Sequence, residues 1–317
     1  MAETMRATVA DYGDVLRARD AYAGGMQWLT AKNHQYLTRY RQDPLTGEKK
    51  ATSLGRRTPE NEAIYDAFMK ERAELDERIA VLRPVMAEQA RMARALRLTR
   101  APSEVGAVLR AIGTSDLLDR LTLAGDACVF AYENEMGSLL SRDVLPDDGL
   151  DLVVDDMRAA DRIEELAAVL RRAKIPVRPG RGRGHDLAVL RTEENLKIHL
   201  FTLSSLERMV DGYESSFAAD VPRWALEQPP VRSVVIDRTG RAATVSVLDP
   251  RAWCILRSVA LEMEEMSPNA REMATDLVSA TATMVHEKTP FEEEQVCGFR
   301  PLLDALEGEE FLPPPRL

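Results

Sequence analysis

A glycine that closes a short apolar strand and opens a helix, with an apolar strand set among acids about two dozen residues later, constrains this chain most. The segment 121–156 reads LTLAGDACVFAYENEMGSLLSRDVLPDDGLDLVVDD. Residues 121–124 form the short strand, Gly125 ends it, and Asp126 stands where a cap would start a helix over 127–136. Residues 150–154 form the second apolar strand. A helix over 158–172 follows, and then two runs, 187–190 and 196–203, that read as paired strands. This order predicts an α/β (α+β) unit, a small sheet with helices on it.

What lies on either side divides the 317 residues into three parts: 1–102, 103–206 and 207–317. In the first, residues 10–31 read as loosely helical. Residues 35–58 alternate around Asp43-Pro44 and Thr46-Gly47, which predicts a hairpin with a long loop. Thr58 is a helix cap with Pro59 as the first helical residue. Leu75, Ile79, Leu82, Met86, Gln89, Ala93 and Leu96 then recur at heptad-like steps, on a helix that Pro84 is expected to kink or split. Such a stripe serves either packing within the chain or a homodimer contact along 61–98. Residues 103–120 give a short amphipathic helix. In the third part, 231–237 and 242–248 alternate around Thr239-Gly240, a hairpin signal. Asp249-Pro250 starts one helix, to about residue 265, and Ser267-Pro268 starts another, over 268–287. The acidic tail beyond is expected to be partly helical and then loose.

Composition narrows the class of function. The chain carries 42 Lys and Arg against 52 Asp and Glu, a formal charge of -10, so its whole surface is unsuited to coating nucleic acid. Two segments run against that total. Residues 32–57 hold Lys32, Arg39, Arg41, Lys49, Lys50, Arg56 and Arg57 against Asp43 and Glu48, and 171–184 hold Arg171, Arg172, Lys174, Arg178, Arg181 and Arg183 among glycines. Each reads as a solvated turn or as a polyanion-facing patch. On the second reading Arg39, Arg41, Lys49, Lys50, Arg181 and Arg183 contact RNA or DNA, and the binding is salt-sensitive. The three cysteines, Cys128, Cys254 and Cys297, are far apart, which fits a reducing cytoplasm, and with four dispersed histidines they predict no structural zinc. The first 22 residues lack the apolar stretch of a signal peptide, and no apolar run reaches the roughly 18 residues of a membrane span.

The strand–glycine–helix–acidic strand order resembles the nucleotidyltransferase fold of the polymerase-beta type. That resemblance implies a mixed sheet, a Gly-Gly or Gly-Ser turn gripping a nucleotide triphosphate, an Asp-x-Asp pair holding two magnesium ions, and a third carboxylate from a later strand. Magnesium favours carboxylate oxygens, two ions stabilise the attacking and leaving oxygens, and alternate strand residues share a face. Over about residues 25–285 the chain is similar to the bacterial nucleotidyltransferase-fold family with an N-terminal helical extension. The matches are Tyr36-Leu37-Thr38-Arg39, Ser53-Leu54-Gly55, Thr58-Pro59-Glu60-Asn61-Glu62, Glu88-Gln89-Ala90-Arg91, Ala95-Leu96-Arg97-Leu98, Ala131-Tyr132-Glu133 and Asp249-Pro250-Arg251-Ala252-Trp253.

The departures from the family pattern decide the functional expectation. The nucleotide-binding turn falls on Gly125-Asp126, where an aspartate repels phosphate. Asp-x-Asp falls on Gly149-Leu150-Asp151, so Asp151 stands without its pair and Asp148 is the substitute candidate for both catalysis and metal binding, with Asp147 and Asp155 nearby. His199 takes the third-carboxylate position, and imidazole suits zinc or manganese better than magnesium. Arg257 stands where the family tends to have lysine. The resemblance thus implies a protein with a degenerate metal site that acts by binding nucleotide, nucleic acid or a protein partner. The alternatives are an active transferase that uses Mg2+ or Mn2+ to move a nucleoside monophosphate onto an acceptor, and a structural oligomer built on the long helix.

Overall fold

The computed structural model describes residues 2–42, 48–146, 149–154, 156–182, 186–209, 216–263 and 266–291. The chain opens with helix α1, Ala2–Asp20, and strand β1, Gly25–Ala31. The helical reading of 10–31 therefore fails after residue 20. Gly24 adopts φ +81°, with its Cα against the Tyr40 carbonyl, and the chain turns there into a strand. Strand β2, His34–Gln42, pairs antiparallel with β1 through a two-residue turn at Lys32 and Asn33, both left-handed. Strand β3, Lys49–Arg56, completes a three-stranded sheet in the order β1-β2-β3. The expected hairpin is present, although its Asp43-Pro44 and Thr46-Gly47 signals lie outside the described residues.

This sheet rests on α2, Pro59–Ala95, with Trp28 5.9 Å from Tyr65 and the Arg39 guanidinium 4.2 Å over Phe68. Thr58 caps α2 by accepting from the Asn61 amide. The helix runs through Pro84 without a break, so it is not split there. Pro84 and Ala80 are on its exposed side, where water can take the carbonyl that proline leaves unbonded. Ile79, Gln89 and Ala93 of the heptad-like stripe are buried, and Gln89 donates to Thr8 of α1. Met5, Val9 and Ala93 then join Ile236 and Ala242 in one cluster, which fastens α1 and α2 to the rest of the chain.

The larger sheet has seven strands: β4 Thr122–Leu123, β5 Leu150–Val153, β6 Val177–Pro179, β7 Ala188–Thr192, β8 Lys197–Phe201, β9 Val231–Ile236 and β10 Ala242–Val247. Their order is β6-β7-β8-β5-β4-β10-β9. The pairs β5–β8 and β4–β10 are parallel and the rest antiparallel, so the sheet is mixed. The hairpin of the 207–317 part thus belongs to the same sheet as the strands of 103–206. The helices on it are α3 Ser103–Gly113, α4 Val129–Met136, α5 Ala159–Arg172, α6 Leu203–Met209, α7 Ser216–Glu227, α8 Pro250–Met263 and α9 Pro268–Lys288. One core packs between them, centred on Phe130, Tyr132, Leu152, Ile198, Val247 and Trp253. No helix of the described residues is long and apolar enough to cross a membrane.

A buried ion pair joins the entry of this core to α4. Arg100 donates from Nε and Nη2 to the Glu133 carboxylate at 2.7–3.1 Å, and Glu133 also accepts from the Leu140 amide at 2.9 Å. Their side chains are 8% and 1% exposed, so either charge left alone has no access to water. Arg100→Met is expected to cost about 3–5 kcal/mol in urea unfolding, and adding Glu133→Gln to recover part of that loss. A cost under about 1 kcal/mol would show that the pair is dispensable.

Candidate functional site

The site is assembled on two neighbouring parallel strands. Asp151 of β5 is the register partner of His199 of β8, so both side chains leave the same face of the sheet, as the alignment with the third-carboxylate position requires. Lys197 and Phe201 alternate with His199 on that face, and the Phe201 and His199 rings stack with centroids 6.2 Å apart. His199 Nδ1 lies 3.1 Å from Oδ2 of Asp186, whose side chain is 2% exposed. Sequence reasoning missed Asp186. Its only local signal is its place after the Arg-Gly turn, and Gly182 has no room for a side chain against it.

Gly125 sits between β4 and the helical turn Asp126–Cys128 that leads into α4. The Ala124 amide donates to the Asp151 carbonyl at 2.9 Å, which draws the turn onto β5. A Cβ on Gly125 would stand 2.6 Å from both Cβ and Cγ of Asp151, so glycine is required by the approach of that carboxylate. Helix α8 holds the turn from the other side. Trp253 donates from Nε1 to the Gly125 carbonyl at 3.0 Å. One turn later Arg257 forks onto Asp126, Nε to Oδ1 at 2.8 Å and Nη2 to Oδ2 at 3.3 Å. Asp249 caps α8, accepting from the amides of Arg251 and Ala252.

Asp126 therefore does not cap the helix that follows it. Gly125 holds the cap position with no side-chain bond, because the Asp126 carboxylate finds a stronger, charge-assisted partner in Arg257. Two ionisable groups beside the turn are inert. Burial pushes the Cys128 thiol and the Tyr132 hydroxyl well above their ordinary ranges, and each serves as a hydrogen-bond donor, Cys128 to Leu123 and Tyr132 to Leu248.

These residues line a cleft of about 420 Å³. Gly125, Asp126, Asp151, Lys197, His199 and Arg257 give it a polar floor, while α6, α8 and α9 add an apolar wall that includes Leu206, Leu256 and Leu277. Gly149 also lines it, at φ +89°. Among the described residues the donor set does not fit two magnesium ions: the floor offers the carboxylate of Asp126, which is held by Arg257, and that of Asp151, beside an imidazole whose Nδ1 faces Asp186. Asp147, Asp148 and Asp155 lie outside the described residues.

The basic residues are placed elsewhere. Arg39 turns inward over Phe68 and donates to the Ala21 carbonyl, and burial together with Arg41, Arg72 and Arg19 lowers its pKa. Arg41, Lys49 and Lys50 are exposed, with Arg41 opposite Lys50 in register, and Arg181 is exposed near β6. Arg183 lies outside the described residues. Arg172 reaches Asp20 at 3.2 Å, which brings the start of the second basic segment to the end of α1.

Residues 103–297 match a protein family described as Nucleotidyltransferase. A search of curated proteins finds no match. Among solved structures, a nucleotidyltransferase-like antigenic protein from Paracoccidioides brasiliensis is 15% identical, covering 66% of this chain and 88% of its own, at a TM-score of 0.36. No conclusion rests on so low a likeness.

The contact between Gly125 and Asp151 is open to a direct test. Gly125→Ala is expected to destabilise the chain by about 1–3 kcal/mol, since the new methyl meets Asp151 and not solvent. In an Asp151→Gly background the same change is expected to cost less than half as much, measured as a double-mutant cycle by denaturant unfolding. Equal costs in both backgrounds would separate the two residues.

Proposed function

The chain belongs to the nucleotidyltransferase family by its match over residues 103–297, and from that premise we propose that it binds a nucleotide in the β5–β8 cleft without metal-dependent transfer. The observation that carries this reading is the pairing of Asp151 with His199 at the two strand positions from which metal-binding carboxylates would converge. His199 is a poor magnesium ligand. The backbone at Gly149 is left-handed, a conformation that glycine adopts without a Cβ clash. Phosphate affinity in this reading comes from Lys197, and the apolar wall takes the base.

Asp186 favours one rival. It adds a buried carboxylate beside His199, and with Asp151 and Asp148 it would give an active transferase the acids needed for Mg2+ or Mn2+. A nucleic acid partner, in turn, would meet the exposed Arg41, Lys49, Lys50 and Arg181, since Arg39 serves packing.

Labelled nucleotide is expected to bind the wild-type chain in EDTA, to weaken about tenfold with Lys197→Ala, and to release no pyrophosphate when magnesium is added. The triple variant Gly149→Asp, His199→Asp, Asp126→Ser is expected to gain metal binding by calorimetry. Robust magnesium-dependent pyrophosphate release by the wild type, lost in Asp151→Asn, would establish the active transferase instead.

A further inference from the structure

The cleft contains an anion of its own. Arg257 projects into it from α8, and its guanidinium fork is filled by the two carboxylate oxygens of Asp126 at 2.8 and 3.3 Å. A guanidinium takes a carboxylate and a phosphate with the same two-point geometry, so Asp126 stands where a phosphate oxygen pair would sit on this arginine. The side chains are 15% and 30% exposed, which shields the pair from solvent more than a surface bridge. Neither end is loosely hung. Trp253, one turn before Arg257 on the same helix, is bonded to the Gly125 carbonyl, the residue before Asp126. The pair is thus held in register by a second bond between the same two elements.

The rest of the floor does not restore the positive charge that Asp126 removes. Among the described lining residues Lys197 and Arg257 are matched by Asp126 and Asp151, two charges of each sign, and Asp186 lies against His199. A triphosphate brings about four negative charges, and without a cation to accompany it each phosphate would compete with Asp126 for Arg257 or lie against Asp151.

We infer that Asp126 sets the charge class of the ligand: it occupies Arg257 as a built-in anion, so the cleft takes nucleosides and nucleoside monophosphates and rejects triphosphates. The inference rests on the nucleotide reading of the cleft and makes Asp126 its specificity-determining residue. A monophosphate needs one cation, which Lys197 supplies. A triphosphate needs the arginine as well.

The test is equilibrium dialysis in EDTA with the nucleosides, 5′-monophosphates and triphosphates of the four common bases, on wild type, Asp126→Asn and Asp126→Ser. For the preferred base, the wild type is expected to hold the monophosphate about tenfold or more above the triphosphate. Both variants are expected to invert that order, and adding Arg257→Gln to Asp126→Asn to abolish the gain. A wild type that prefers triphosphates overturns the inference, and so does a ratio that neither variant changes; in both cases the nucleotide reading survives. No binding of any nucleoside or nucleotide by any of the proteins overturns both. Should the variants fail to fold, the wild-type ratio alone decides.

Discussion

The site depends on the grip of α8 on the Gly125–Asp126 turn. Strand β4 has only two residues, so the ladder on either side of it supplies few bonds to fix where the turn begins. Its position is set instead largely by side chains 128 and 131 residues away in the chain. Trp253 holds the Gly125 carbonyl, Arg257 holds Asp126, and the Ala124 amide is bonded across to β5. The two side chains are four residues apart on one helix, and therefore on one face, so a single rigid element makes both contacts. Capping by Asp249 and burial of Trp253 fix that element in turn.

With the turn held, Asp151 is brought against Gly125, and the electrostatics of the cleft follow. Two acids at the cleft are answered locally: Asp126 by Arg257, and Asp186, behind the floor, by the His199 ring. Balanced charge of this kind suits a ligand of low charge. Divalent cations need several carboxylates at once, and the described residues hold no such group. Family membership leaves the side chains at 149 and 199 free to vary, because the sheet and its helices are built from apolar packing that does not involve those positions.

Much of the fold could be read locally. Thr58-Pro59, Asp249-Pro250 and Ser267-Pro268 each start a helix where capping chemistry says, and the Thr239-Gly240 hairpin closes in register. What escaped reading was tertiary. β1 was taken for the tail of a helix because its strand character comes from pairing with β2. The helix α7 carries Pro222 and announces itself weakly. That β9 and β10 join β4 is a contact across more than a hundred residues, with no local sign. In the site, Asp151 opposite His199 was expected from the family resemblance, which puts a third carboxylate on the later strand. Asp186 was not, since its contact with the histidine joins residues 13 apart in the chain and leaves no pattern in the sequence. Asp126 was misread as a cap because local propensity favours one, and the guanidinium of a distant helix overrode it.

The central claim is that this cleft holds a nucleotide and not a pair of catalytic metals. A crystal structure with nucleotide and Mn2+ tests it most directly, because manganese can be located by anomalous scattering. The account predicts nucleotide density between β8 and α8 with no anomalous peak at Asp151. Two manganese ions bridging Asp151 and the phosphates, with Asp148 or Asp186 completing their coordination, would contradict it.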